Sequence, residues 1–153
     1  MNELAPAIST TQTGPLGICH LPRLWLKIIL HAKGLLPADY RHGHGGFDEL
    51  LCERLGLDAE AMIAYLEREL PDYLTFERWV EQNAKNLTPE TVAAYNLHVC
   101  THAMGSERAA ERRTKLGLAN AHAVNAAYLN DLDDWSVLHA ELASTPAKPA
   151  TAR

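Results

Sequence analysis

Apolar residues recur at helical spacing along most of the chain, and no stretch alternates with period two for long enough to mark a strand. In LPRLWLKIILHAKG, Leu21, Leu24, Trp25, Ile28 and Ala32 fall on one helical face. Pro22 suits a first turn and Gly34 a C-terminal cap. FDELLCERLG predicts a shorter helix ended by Gly56. Asp58 is placed to cap AEAMIAYLEREL, which turns Met62, Tyr65 and Leu66 inward and stops at Pro71. Thr75 is expected to cap FERWVEQN, with Phe76, Trp79 and Val80 inward.

The best-signalled helix is PETVAAYNLHVCTHAMG. Thr88 caps it, Pro89 takes its first position, Glu90 complements its first turn, and Gly105 lies beyond its end. Ser106 is expected to cap ERAAERRTKLG, which Gly117 stops. NAHAVNAAYLNDLDDWSVLHAEL reads as one helix, a turn near Asn130 and a second short helix. The fold class is therefore all-α, a single compact domain of about six to eight short helices. The Ser-, Thr-, Pro- and Gly-rich residues 1–15 read as a flexible lead, residues 16–143 as the helical domain, and residues 144–153 as a flexible tail.

Composition narrows the function classes. The 153 residues suit one domain with a real core. A net charge of −5 argues against nucleic acid or an anionic membrane as partner, because both need excess Lys and Arg. Arg112 and Arg113 form the densest basic run, and Glu107 and Glu111 dilute it. LWLKIILHAKGLL is interrupted by Lys27, His31 and Lys33 and does not span a membrane. The N-terminus has neither the basic nor the apolar region of a secretory signal. Three cysteines, an odd number with no CxxC, argue against a disulfide framework or a thiolate zinc site. A cytoplasmic protein with reduced thiols is expected, Cys100 among them as a small buried residue.

Several segments occur together in order: LPRLWLKIILHAKGLL followed by YR, FDELLCERLGLDAEA, WVEQNAKNLTPETVAAYN, SERAAERR and a closing LDDW. In this the chain resembles a small bacterial family known as domain of unknown function five thousand and sixty-nine, from Pro15 to Leu142. The resemblance implies a compact helical domain and brings no reaction with it. The histidines of HGHGG lie outside the family's pattern.

Eight histidines supply the candidate chemistry. Two pairs have ligand spacing: His42 and His44 in YRHGHGGFDEL, and His98 and His102 one helical turn apart. Each pair could present two rings to one divalent metal ion. Position 99 is Val, so the HExxH signature is absent. His98 and His102 flank the Val92, Tyr95, Asn96, Val99 face, which suits a pocket wall or two half-exposed polar residues.

The glycines of HGHGG lead into a helix N-terminus, where anions are favoured, and Arg41, His42 and His44 could add donors. No Lys-Ser/Thr follows and no strand precedes, so this is neither a P-loop nor a dinucleotide fingerprint. The plainer alternative is a flexible turn, with Asp48 supporting the first helical turn. Tyr40 and Asp48 bracket the loop and could serve as acid and base. Asn96, on a core face, either bonds a neighbouring loop or touches a ligand. Arg23 reads as a surface or ion-pair residue. No nucleophile motif is present.

Two functions follow as expectations. One is a lyase or hydrolase acting on a small organic acid in a pocket between the first helix, the histidine loop and the Thr88 helix. There His98, His102, Asp48 and Tyr40 act as acids and bases, or His42, His44, His98 and His102 hold one metal ion. The other is a non-catalytic binding or accessory module, anion-binding at the Gly-rich loop with Arg41 as a donor and Asn96 as a separate ligand contact, and a homodimer through a helix face. Convergence of the two histidine pairs to within about 5 Å would favour the first, and separation the second.

Overall fold

The computed structural model describes residues 3–118 and 122–148. Among the described residues there are seven α-helices and no strand: α1 (Leu21–Ala32), α2 (Gly46–Leu55), α3 (Ala59–Glu69), α4 (Tyr73–Asn83), α5 (Pro89–Thr101), α6 (Ser106–Lys115) and α7 (Ala126–Ser144). None is long and apolar enough to cross a membrane.

The apolar stripe of α1, Leu21, Leu24 and Ile28, is fully buried and forms the axis of the main core. Leu51 and Leu55 of α2, Met62 and Leu66 of α3, Phe76 and Val80 of α4, and Tyr95 and Val99 of α5 close around it. Helix α1 packs on α3 and α4, α2 on α5, and α6 on α7. Met104, Ala109, Ala126 and Leu129 form a smaller second cluster, and Phe47 packs against both.

Local signals set most boundaries. Asp58 accepts from Ala61 N at 3.0 Å and Thr88 from Thr91 N at 3.2 Å. Gly56 ends α2 with φ 65°, a left-handed conformation that suits glycine. Three boundaries differ from expectation. Asp72, not Thr75, caps α4, because its carboxylate accepts the Thr75 N–H at 2.8 Å and lets the helix start at Tyr73. Gly105 rather than Ser106 is the N-cap of α6. Helix α7 runs through Asn130 without a turn, since neither Gly nor Pro interrupts it, and Asn125 caps it by accepting from Tyr128 N.

The N-terminal segment is also corrected. From Glu3 onward it lacks regular structure, yet it is bonded into the domain. Leu4 N donates to Leu35 O at 2.7 Å, His20 N to Gln12 O at 3.2 Å, and the Arg23 guanidinium to the carbonyls of Pro6 and Ile8 at 2.7 and 3.0 Å. Ala5 and Thr10 are buried. At the other end, residues 149–153 of the expected tail lie outside the described residues. Cys100 is exposed rather than buried, while Cys19 and Cys52 are buried, and all three are free.

Candidate functional site

Beside its apolar stripe α1 carries a polar one. His20, Arg23 and Lys27 stand at i, i+3 and i+7, on one face, and are only 2%, 5% and 7% exposed. Cations so deeply buried must be paired. Lys27 Nζ donates to both Asp48 oxygens, at 2.6 and 2.7 Å. Arg23 donates to Asp134 Oδ2, and its second η nitrogen lies 3.2 Å from Oδ1. Tyr40 completes this second anion site, its hydroxyl donating to Asp134 Oδ1 at 2.8 Å.

Above this stripe lies a cavity of about 640 Å³, the size of a small-molecule site. Its walls come from α1, from residues 39–50 around the start of α2, from His98 and His102 at the end of α5, and from the facing sides of α6 and α7.

Asp48 is the hub of the floor. Besides Lys27 it accepts from His20 Nε2 at 2.6 Å and from Gly43 N at 2.8 Å. Burial works against its charge, but the His20 hydrogen bond and the Lys27 ammonium outweigh burial and hold the carboxyl down to about 2. Asp48 therefore stays ionised and accepts, which assigns the ring proton of His20 to Nε2. Burial, only partly offset by Asp48, keeps His20 below the usual histidine range. Its Nδ1 is buried and has no partner. Burial and then the Asp134 charge push Tyr40 upward, so it remains a donor. Burial likewise raises Asp134 against the opposing pull of Arg23 and Tyr40.

His20 is held in a left-handed conformation, φ 70° and ψ −20°, as the N-cap of α1. For a non-glycine residue this costs roughly 1–2 kcal/mol. Asn96 holds the preceding turn in place, accepting from Cys19 N at 2.9 Å and donating to Gly17 O at 2.7 Å. Both ends of that amide bond to backbone, and Asn96 is not among the cavity-lining residues, so its observed role is to clamp the loop.

The lining holds six Arg and Lys side chains and six Asp and Glu, so net charge selects no ligand. On the α6–α7 side Asp133 takes Arg112 at 2.7 Å and Lys115 at 2.8 Å. Arg41 and Arg108 make no ion pair among the described residues. The backbone adds polarity of one sign. Helices α1, α2 and α6 begin on this cavity, and none has a side-chain cap. Helices α3, α4, α5 and α7 are all capped, by Asp58, Asp72, Thr88 and Asn125.

The two histidine pairs do not meet. His98 and His102 stack at 5.0 Å between centroids on the cavity wall, with Phe47 edge-on to His102 at 5.7 Å. His42 instead stacks on His31, and His44 pairs with Glu60 at 3.3 Å. The cause is Gly43. With φ +77° it lets the loop press on α3 so closely that a Cβ there would lie 2.5 Å from Ile63 Cδ1. The histidines of the loop thus meet α1 and α3 rather than α5, and His42, His44, His98 and His102 are not gathered around one point. Asp48, held at about 2 and accepting from three donors, is ionised and only a weak base near neutral pH. Arg41 and Tyr40 do line the cavity. Reasoning from the sequence missed His20, Lys27, Asp134 and Arg108. The i, i+3, i+7 spacing of His20, Arg23 and Lys27 was a signal that could have found the first two.

Fold and site together define a small helical protein with a cavity floored by buried ion pairs. The chain belongs to the family described as domain of unknown function DUF5069, whose pattern matches residues 10–135. That span contains every lining residue of the cavity, from His20 to Asp134. Among curated proteins none matches the chain.

Proposed function

We propose that the cavity binds a small organic acid. The observation that carries this reading is the group of three uncapped helix starts, α1, α2 and α6, on one cavity beside the unpaired guanidiniums of Arg41 and Arg108. Free N–H groups at helix starts favour anions, and a guanidinium binds a carboxylate or phosphate in bidentate fashion. The deeper charges already neutralise one another and give the pocket a rigid floor. Calorimetric titration with small di- and tricarboxylates and phosphate esters, at constant ionic strength, tests the reading. Saturable binding that Arg108→Gln or Arg41→Gln weakens at least tenfold is expected. Wild-type protein that binds none of them, or variants that bind as well as wild type, would overturn it.

A catalytic version, lyase or hydrolase chemistry on the bound acid, is favoured by one observation. His20 lines the cavity, is strained, is held by Asp48, and has a buried Nδ1 without a partner. An imidazole oriented by a carboxylate is a common proton-transfer group. His20→Gln should then lose turnover far more than ligand affinity, with its Tm measured alongside to separate this from loss of the Asp48 contact. The free thiols fit a cytoplasmic setting. A homodimer would use the exposed Tyr128, Trp135 and Leu142, which recur every seven residues along α7.

A further inference from the structure

We propose that His31, His42 and Glu67 form a binding site for a zinc-like divalent cation, separate from the cavity. The three side chains come from the last turn of α1, the glycine-rich loop and α3. One ligand atom from each lies within 4.8 Å of the other two, the only such group of His, Cys, Asp and Glu among the described residues. His31 Nδ1 and Glu67 Oε1 are 3.1 Å apart. Ligands on one tetrahedral zinc ion, at bonds of about 2.0–2.1 Å, stand roughly 3.3 Å from each other. That pair already has the spacing a shared ion requires, with a proton between the two atoms in place of the metal. His42 has at most about 1.5 Å to close, within reach of ring rotation in a half-exposed side chain.

Two imidazoles and a carboxylate are a donor set that suits zinc, nickel or copper, and three protein ligands leave a fourth position for water. The scaffold is preformed. Gly43, pressed against Ile63, carries His42 to the α1–α3 seam, and its N–H is fixed by Asp48. The rings of His31 and His42 lie face to face at 3.5 Å, tilted by 20°. Because His42 adjoins Gly43, an ion here would also brace the loop that supports Asp48.

The test is calorimetric titration of the untagged, chelator-treated full chain with zinc and with nickel. One site per chain is expected, with a higher Tm in zinc. His42→Ala and Glu67→Gln should each weaken binding at least tenfold, while keeping the metal-free Tm within a few degrees. His98→Ala with His102→Ala, and Arg108→Gln, should leave it unchanged. No saturable zinc binding, or binding that follows His98 and His102 instead, would overturn the proposal. Neither outcome bears on the anion reading of the cavity, because the two sites share no ligand-contacting residue.

Discussion

His20 Nε2 lies 2.6 Å from Asp48 Oδ1, joining the N-cap of the first helix to the first turn of the second across 28 residues. Both side chains are buried, and Lys27 shares the same carboxylate. This contact fixes the histidine's tautomer, keeps Asp48 charged, and ties the glycine-rich loop to α1 through Gly43. Several expectations come directly from it.

Asp48 should make stability acid-sensitive. Its carboxyl falls from an ordinary 3.8 to about 2 in the fold, so the folded state releases its proton more readily than the unfolded chain. The stabilisation is complete above pH 5 and is lost as pH falls through 4 toward 2, by about 2 kcal/mol. Urea denaturation between pH 6 and pH 2 measures this slope. Asp48→Asn should flatten it and cost roughly 3–5 kcal/mol at pH 7, by leaving Lys27 buried without its counter-charge.

His20 is strained by its backbone, and its side chain compensates through Asp48. His20→Gly removes the side chain and relieves the left-handed φ, whereas His20→Ala removes the same contacts and keeps the strain. The glycine variant should be the more stable of the two by about 1 kcal/mol. Equal stability in chemical denaturation would mean that the positive φ carries no cost.

Arg23 and Asp134 lie 111 residues apart in sequence and form the second buried pair. Arg23→Met or Asp134→Leu alone should cost roughly 3–5 kcal/mol, and the double variant clearly less than the sum. A thermal-melt double-mutant cycle reads this coupling. Arg23→Met should also loosen residues 6–8, whose carbonyls it holds, giving faster amide exchange or proteolysis there.

Asn96 clamps the turn before α1. Asn96→Ala leaves Cys19 N–H and Gly17 C=O without their partners and should cost about 1–3 kcal/mol. Asn96→Asp keeps the acceptor for Cys19 and should recover part of that loss. If either variant instead abolished anion binding at unchanged Tm, Asn96 would be a ligand contact after all.

Much of the architecture was legible in the sequence. Asp58, Thr88, Pro89 and Gly56 set helix ends by contacts that reach no further than four residues, and the α1 stripe of Leu21, Leu24 and Ile28 announced a buried face. The misses at α4 and α6 were of the same local kind, where a neighbouring residue outcompeted the expected cap. The site was read less well. His98, His102, Tyr40, Asp48 and Arg41 do share one cavity, yet Asn96 turned inward to the backbone and His42 and His44 joined other helices.

By itself, then, the chain determined that it is all-helical, where most helices start and stop, and which faces are apolar, because periodicity and capping act within a turn or two of the backbone. Only the tertiary structure decided that Asp48 serves Lys27 and His20, that Asp134 serves Arg23 and Tyr40, and that His42 sits on His31. Those pairings depend on how closely Gly43 lets a loop approach α3 and on which charges the packed helices leave without water. Both are properties of the assembled core rather than of any local stretch.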